Sequence, residues 1–169
     1  EGTACLDGDV HTGTFQKGQL VKGTACLDDI VVTGTFKEGL LEEGTACLDG
    51  DVSTGTFQKG QLEEGTACLD GDVHTGTFQK GLLVKGTVSK RGGNVLTGTF
   101  QKGQLVKGTV CEGGNALTGT FQKGQLVKGT VCLPCGDLHT GTFKEGLLIK
   151  GMVIRSSGEI QHIDRTIGK

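Results

Sequence analysis

Residues 6–28 read LDGDVHTGTFQKGQLVKGTACLD, and this string recurs nearly letter for letter along the 169-residue chain. Gly-Thr pairs beginning at Gly2, Gly23, Gly44, Gly65, Gly86, Gly108 and Gly129 mark seven copies, spaced by 21 residues and by 22 in the fifth and seventh. Self-similarity at a fixed period is the signature of a repeat architecture, in which each unit buries its apolar surface against its neighbours. The triplet Thr-Gly-Thr precedes Phe15, Phe36, Phe57, Phe78, Phe100, Phe121 and Phe143. Residues 151–169 form a degenerate eighth unit, in which His162-Ile163-Asp164-Arg165 replaces Thr-Gly-Thr-Phe, as expected of a cap. The predicted organisation is therefore seven tandem hairpin repeats over 1–150 and a C-terminal capping repeat over 151–169.

Each copy carries two turn signals. Asp7-Gly8 suits a two-residue hairpin bend, because Gly accepts positive φ without steric cost. Lys17-Gly18-Gln19 suits a three-residue loop with Gly at or near the left-handed position. The β-prone stretches Asp9–Gln16 and Leu20–Leu27 lie between them. In this register Phe15 faces Val21, Gly13 faces Gly23 and Thr12 faces Thr24. Across the Asp-Gly bend, Thr3 faces Thr12 and Cys5 faces Val10. Side chains alternate along a strand. Face A is then expected to carry Val10, Thr12, Thr14, Gln16, Leu20, Lys22, Thr24 and Cys26. Face B is expected to carry His11, Gly13, Phe15, Val21, Gly23, Ala25 and Leu27. The predicted fold is all-β: an elongated single-layer antiparallel β-meander of about 16 short strands in stacked hairpins. The extra residues of copies five and seven fall in the bends Arg91-Gly92-Gly93 and Pro134-Cys135-Gly136, where insertion is tolerated. The alternative is a right-handed β-solenoid with 21-residue coils, in which residue i pairs in parallel with i+21 and the Thr-x-Thr triplets stack. A closed barrel of 16 strands would need longer strands and a Trp/Tyr girdle to cross a membrane.

The order Gly8-Asp9-Val10-His11-Thr12-Gly13-Thr14-Phe15-Gln16-Lys17-Gly18, with Gly23 in the next strand, resembles the MORN repeat (membrane occupation and recognition nexus). The resemblance covers about 150 residues. It implies single-layer sheets of stacked hairpins that act as scaffolds and dimerise, and it implies contact with membrane or lipid surfaces.

Composition narrows the function. The chain has 32 Gly, one Pro, seven Phe, and neither Trp nor Tyr; 34% of residues are hydrophobic. A thick central core is not expected. Residues 1–85 carry 14 acidic and 6 basic side chains, whereas 86–169 carry 5 acidic and 11 basic, so charges of −8 and +6 lie within a net −2. Neither half has the Arg-rich, aromatic-interleaved surface of a nucleic-acid binder. No apolar run approaches the ~20 residues of a membrane helix. No secretory signal is visible, although a chain starting at Glu1 leaves room for a removed leader.

The columns of the repeat are the candidate sites. Cys5, Cys26, Cys47, Cys68, Cys111 and Cys132 hold one column, with Ser89 in the gap. In the meander, successive members lie two strands, or ~9.6 Å, apart. A disulfide needs Cα atoms within ~7 Å. Free packing thiols, and hence a reducing, cytoplasmic or intracellular compartment, are expected. Cys132-Leu133-Pro134-Cys135 is a single CxxC without a second ligand pair for zinc. His11, His74 and His139 share their column with Val, Ser and Leu and read as packing residues. Asp7 and Asp9 read as turn formers rather than a calcium site. Glu42, Glu43, Glu63 and Glu64 replace Val-Lys pairs and read as a solvated acidic patch. Thr3, Thr12, Thr24, Thr33, Thr45 and Thr54 form a ladder on face A. Seven equivalent copies argue against one catalytic constellation, so no enzyme, cofactor or metal site is expected.

A single sheet cannot bury its apolar face alone. The expected contact residues are Phe15, Phe36, Phe57, Phe78, Phe100, Phe121 and Phe143 with Val21, Val84, Val106 and Val127. The expected function is a non-catalytic scaffold for protein–protein interaction or self-assembly, through this Phe/Gly face and exposed edge strands. The partner is another protein or a second copy, as a homodimer or in head-to-tail association extending to filaments. The competing expectations are a secreted ice- or surface-binding solenoid that uses its Thr arrays, and a membrane-associated scaffold by family analogy.

Overall fold

The structure, a computed structural model, describes residues 1–6 and 8–165. Sixteen strands follow one another: β1 (Gly2–Leu6), β2 (Asp9–Gln16), β3 (Gln19–Leu27), β4 (Ile30–Lys37), β5 (Leu40–Leu48), β6 (Asp51–Gln58), β7 (Gln61–Leu69), β8 (Asp72–Gln79), β9 (Leu82–Ser89), β10 (Val95–Gln101), β11 (Gln104–Glu112), β12 (Asn115–Gln122), β13 (Gln125–Cys132), β14 (Leu138–Lys144), β15 (Leu147–Ile154) and β16 (Ile160–Asp164). Their order in the sheet is their order in the sequence, so the sheet is an open antiparallel meander. Thr12 lies opposite Thr3 on one side and Thr24 on the other. This is the hairpin pairing; the parallel i-to-i+21 pairing of the solenoid alternative is not formed. The chain divides into two compact units, Glu1–Leu83 and Val84–Lys169.

The Lys-Gly bend differs from the three-residue loop expected from sequence. Lys17 and Gly18 form a two-residue bend with φ of 50° and 80°. Positive φ at both central positions is the hairpin geometry that matches strand twist. Gln16 pairs with Gln19 and Phe15 with Leu20; the register then shifts, and Thr14 pairs with Lys22. Val21 is the extra residue of a β-bulge, in which two residues of one strand oppose one of the other. The period of 21 is thus an eight-residue strand, a two-residue bend, a nine-residue strand and a second two-residue bend. A two-residue bend alone would flip every later side chain to the other face. The inserted residue restores the parity.

Two face assignments change as a result. Leu20 was expected on face A, but it stands opposite Phe15 on face B and is buried. Val21 was expected opposite Phe15, but it shares the place opposite Thr14 with Lys22. The same shift recurs opposite Phe36, Phe57, Phe100, Phe121 and Phe143.

The Asp-Gly bends have the predicted two residues. Asp49 and Gly50 have φ of 50° and 87°. Asp7, predicted in the first such bend, lies outside the described residues. The predicted insertions form one recurring three-residue bend. Lys90 N donates to Asn94 O at 2.8 Å, and Leu133 N to Asp137 O at 3.0 Å. Arg155 N donates to Glu159 O at 2.8 Å, so the degenerate eighth unit is a hairpin closed by the same bend.

The glycines inside the strands have a separate cause. Gly13 and Gly23 face each other with φ of 151° and 148°. A Cβ on Gly13 would lie 2.1 Å from Lys22 O, and one on Gly23 would lie 2.0 Å from Thr12 O. The strands approach too closely there for any side chain, in a backbone region that is essentially glycine-only. Gly34, Gly44, Gly55 and Gly65 continue this row through the first unit.

Candidate functional site

Face B is built from columns that run perpendicular to the strands. The Phe column is paired with a Leu column: Leu20, Leu41, Leu62, Leu83, Leu105, Leu126 and Leu148, all buried. Beside them runs the glycine row. At Gly119 the Leu126 Cδ1 lies 3.0 Å from where a Cβ would stand, so the leucine covers the bare backbone. Next come small apolar residues: Ala4, Ala25, Ala46 and Ala67 in the first unit, and Val88, Val110, Val131 and Val153 in the second. His11, Val32, Ser53 and His74 stand opposite the alanines.

The two units differ on this face. Phe100, Phe121 and Phe143 in the second unit are 6%, 3% and 6% exposed. Phe15, Phe36 and Phe57 in the first are half-buried, and only Phe78 is as covered, at 5%. In the first unit the face is concave. A groove of about 550 Å³ is lined by Phe15, Phe36, Phe57, Leu20, Leu41, Ala25, Ala46, Ile30, Val32 and His11. Its size falls in the range of ligand pockets, and its lining is predominantly apolar. Alanine lacks the two methyl groups of valine, so the column that fills this face in the second unit leaves a trough in the first. His139 occupies the corresponding column of the second unit, opposite Val131 and Val153; its Nε2 is buried without a hydrogen-bond partner.

Face A is polar and regular. Thr24 and Thr33 share a hydroxyl–hydroxyl hydrogen bond of 3.0 Å, and Thr45 and Thr54 repeat it at 3.0 Å. Further bonds of this kind join Thr66 to Thr75, Thr87 to Thr97, Thr109 to Thr118 and Thr130 to Thr140. All span the Asp-Gly side of a hairpin pair. The Cys column alternates with Val, as Cys26, Val31, Cys47, Val52 and Cys68, so successive thiols are two strands apart. All seven cysteines are free.

The bends on the Asp-Gly side are tied to one another two strands apart. Asp70 N donates to Asp51 Oδ1 at 3.2 Å, and Asn94 Nδ2 to Glu112 Oε1 at 2.9 Å. The tightest tie lies in the second unit. Arg155 Nη1 donates to Asp137 Oδ2 at 2.8 Å, and Ser156 N to Asp137 Oδ1 at 2.9 Å. The Arg155 hydrogen bond, followed by the Ser156 amide, holds the Asp137 carboxyl below its ordinary value of 3.8. Charge-assisted hydrogen bonds favour the ionised form in this way.

The structure brings the predicted Phe column and glycine row together on face B, with the Leu column in the place expected for Val21, Val84, Val106 and Val127. The signal for the leucines was in the repeat: Leu holds its position in all seven copies, whereas the next residue reads Val, Glu, Glu, Val, Val, Val and Ile. A column that accepts Glu is not a core column. Among the described residues, no three His, Cys, Asp or Glu side chains gather as metal ligands. No helix among the described residues is long and apolar enough to cross a membrane. Comparison with protein-family models and with curated proteins finds no match to this sequence.

Proposed function

We propose that the chain is a non-catalytic repeat scaffold that binds protein through the apolar face of its first unit. The observation that carries this reading is the state of the Phe column. The same repeat position is buried within the second unit at Phe100, Phe121 and Phe143, yet half-open along the groove at Phe15, Phe36 and Phe57. Aromatic side chains in a shallow apolar trough are the usual anchors of protein interfaces. The Phe rings recur every second strand, about 9.6 Å apart, so a protein segment laid across the trough would meet repeated, equivalent apolar contacts. The MORN-like order of glycines and Phe, read from the sequence, supports the same scaffold role. So does the repetition, which offers equivalent contact positions rather than one reacting centre.

The test compares the wild-type chain with Phe36→Gln/Phe57→Gln in quantitative cross-linking capture, with urea unfolding as the control for folding. Selective loss of captured protein from a variant that still unfolds cooperatively supports the reading. Undiminished capture by the folded variant refutes it.

A further inference from the structure

A second surface identifies a partner by charge. On face A the row next to the threonine ladder alternates threonine with a charged residue. In the first unit it runs Thr14, Lys22, Thr35, Glu43, Thr56, Glu64 and Thr77, each opposite the next. In the second it runs Lys85, Thr99, Lys107, Thr120, Lys128, Thr142, Lys150 and Asp164. One position of the repeat thus carries Lys22, Glu43 and Glu64 in one unit and Lys85, Lys107, Lys128 and Lys150 in the other. All of these charged side chains belong to exposed strand positions. Glu43, Glu64, Lys107 and Lys128 each stand between two short threonines.

We infer that the lysine row of the second unit docks the glutamate row of the first unit of another copy of this chain, face A against face A. Three observations support that occupant. The spacing matches: both rows place a charge on every second strand, about 9.6 Å apart, so Glu43 and Glu64 meet Lys107 and Lys128 with threonine over threonine. The overall charge matches: Glu1–Leu83 carries 14 acidic and 5 basic residues, and Val84–Lys169 carries 5 acidic and 12 basic, giving −9 and +7. The chemistry is already present at the end of the lysine row, where Lys150 Nζ meets Asp164 Oδ2 on the adjoining strand at 3.9 Å. Single exposed ion pairs contribute little. Association therefore depends on matched rows and the summed attraction of oppositely charged units. This inference goes beyond the proposed function in using the opposite face and committing to a second copy.

A charge swap tests it. The reversed residues are accepted at this repeat position, because Lys22 already stands in the glutamate row of the first unit. Sedimentation at low ionic strength should show self-association of the wild-type chain. Glu43→Lys/Glu64→Lys and Lys107→Glu/Lys128→Glu should each weaken it by about tenfold or more, since like charges then face each other. An equimolar mixture of the two variants should associate again, and 1 M salt, where the Debye length is about 3 Å, should disperse every complex. A wild-type chain that stays monomeric at low salt overturns the inference. So do variants that associate like the wild type, a mixture that fails to associate, or a lysine row that takes up a polyanion such as heparin while the copies stay apart. Phe36→Gln/Phe57→Gln should leave this association intact, so failure here and failure of the face-B reading are separate results.

Discussion

Replacing Gly55 by alanine should destabilise the first unit far more than replacing Gly60, five residues away. A Cβ on Gly55 would lie 2.0 Å from Glu64 O and 2.7 Å from Gly65 Cα, and the residue sits at φ of 149°. Holding a non-glycine residue in that backbone region costs about 1–3 kcal/mol. The contact with a backbone oxygen cannot be relieved by turning a side chain, so β6 and β7 must separate at the Gly55–Gly65 pair. Losing a pair of ladder hydrogen bonds there adds about 1–3 kcal/mol. Reduced freedom of the unfolded chain returns about 0.4–1 kcal/mol. The expected net cost is about 3 kcal/mol, within a range of about 1–5.6 kcal/mol, a large share of the stability of a small domain. Gly60 has φ of 77° in an open bend with nothing within 4 Å of the added Cβ. Its replacement should cost only the left-handed penalty of about 1–2 kcal/mol. Urea unfolding followed by circular dichroism measures both, and hydrogen exchange at Thr54 and Thr66, which face each other in the adjoining pair, locates the opening. If Gly55→Ala costs no more than Gly60→Ala, close strand approach is not the reason for the glycine row.

Leu105→Ala should cost about 2–4 kcal/mol, because Leu105 is a buried partner of Phe100, whereas Val106→Ala at the bulge should cost under about 1 kcal/mol; equal losses would contradict the register shift. His139→Leu should raise the stability of the second unit by about 1 kcal/mol by removing a buried unpartnered nitrogen, with Leu96 and Leu117 already in that column; a lower urea midpoint would show that the imidazole has a structural role. Asp137 has a folded pKa depressed by Arg155 and Ser156, so its contribution to stability is present above its ordinary value of 3.8 and is lost as pH falls through the lower folded value. Asp137→Asn should flatten the acid limb of a urea-midpoint titration below about pH 4; an unchanged acid limb would mean the Asp137–Arg155 tie is not formed in solution.

The meander, the Asp-Gly bends, the inserted bends and the threonine and cysteine columns were legible because period 21 admits few ways of alternating strand and turn. The bulge was not. Lys17 is a poor sign of a two-residue bend, since a non-glycine residue at φ of 50° is uncommon and the usual marker is Asn or Asp before Gly. A three-residue loop and a two-residue loop with one inserted strand residue have the same length, and both preserve the rows from Lys22 onward. Only the residues between bend and bulge separate them, and Leu20 is where the two readings disagree. The Glu at positions 42 and 63, beside constant Leu41 and Leu62, was the evidence available for the second reading. The contrast between the open groove of the first unit and the filled face of the second accompanies a change from Ala to Val in one column, and no periodicity expresses how much room that leaves.

The three-residue bends have a consequence for how the chain finds its partners during folding. Hairpins that are almost interchangeable can mispair by one whole unit with hardly any local penalty, since the slipped strand presents the same threonines and glycines. A bend of different length cannot be exchanged for its neighbours in this way. Lys90–Asn94, Leu133–Asp137 and Arg155–Glu159 therefore act as address labels, and all three lie in the second unit. Threading errors should accumulate in the first unit, where nothing comparable distinguishes one hairpin from the next.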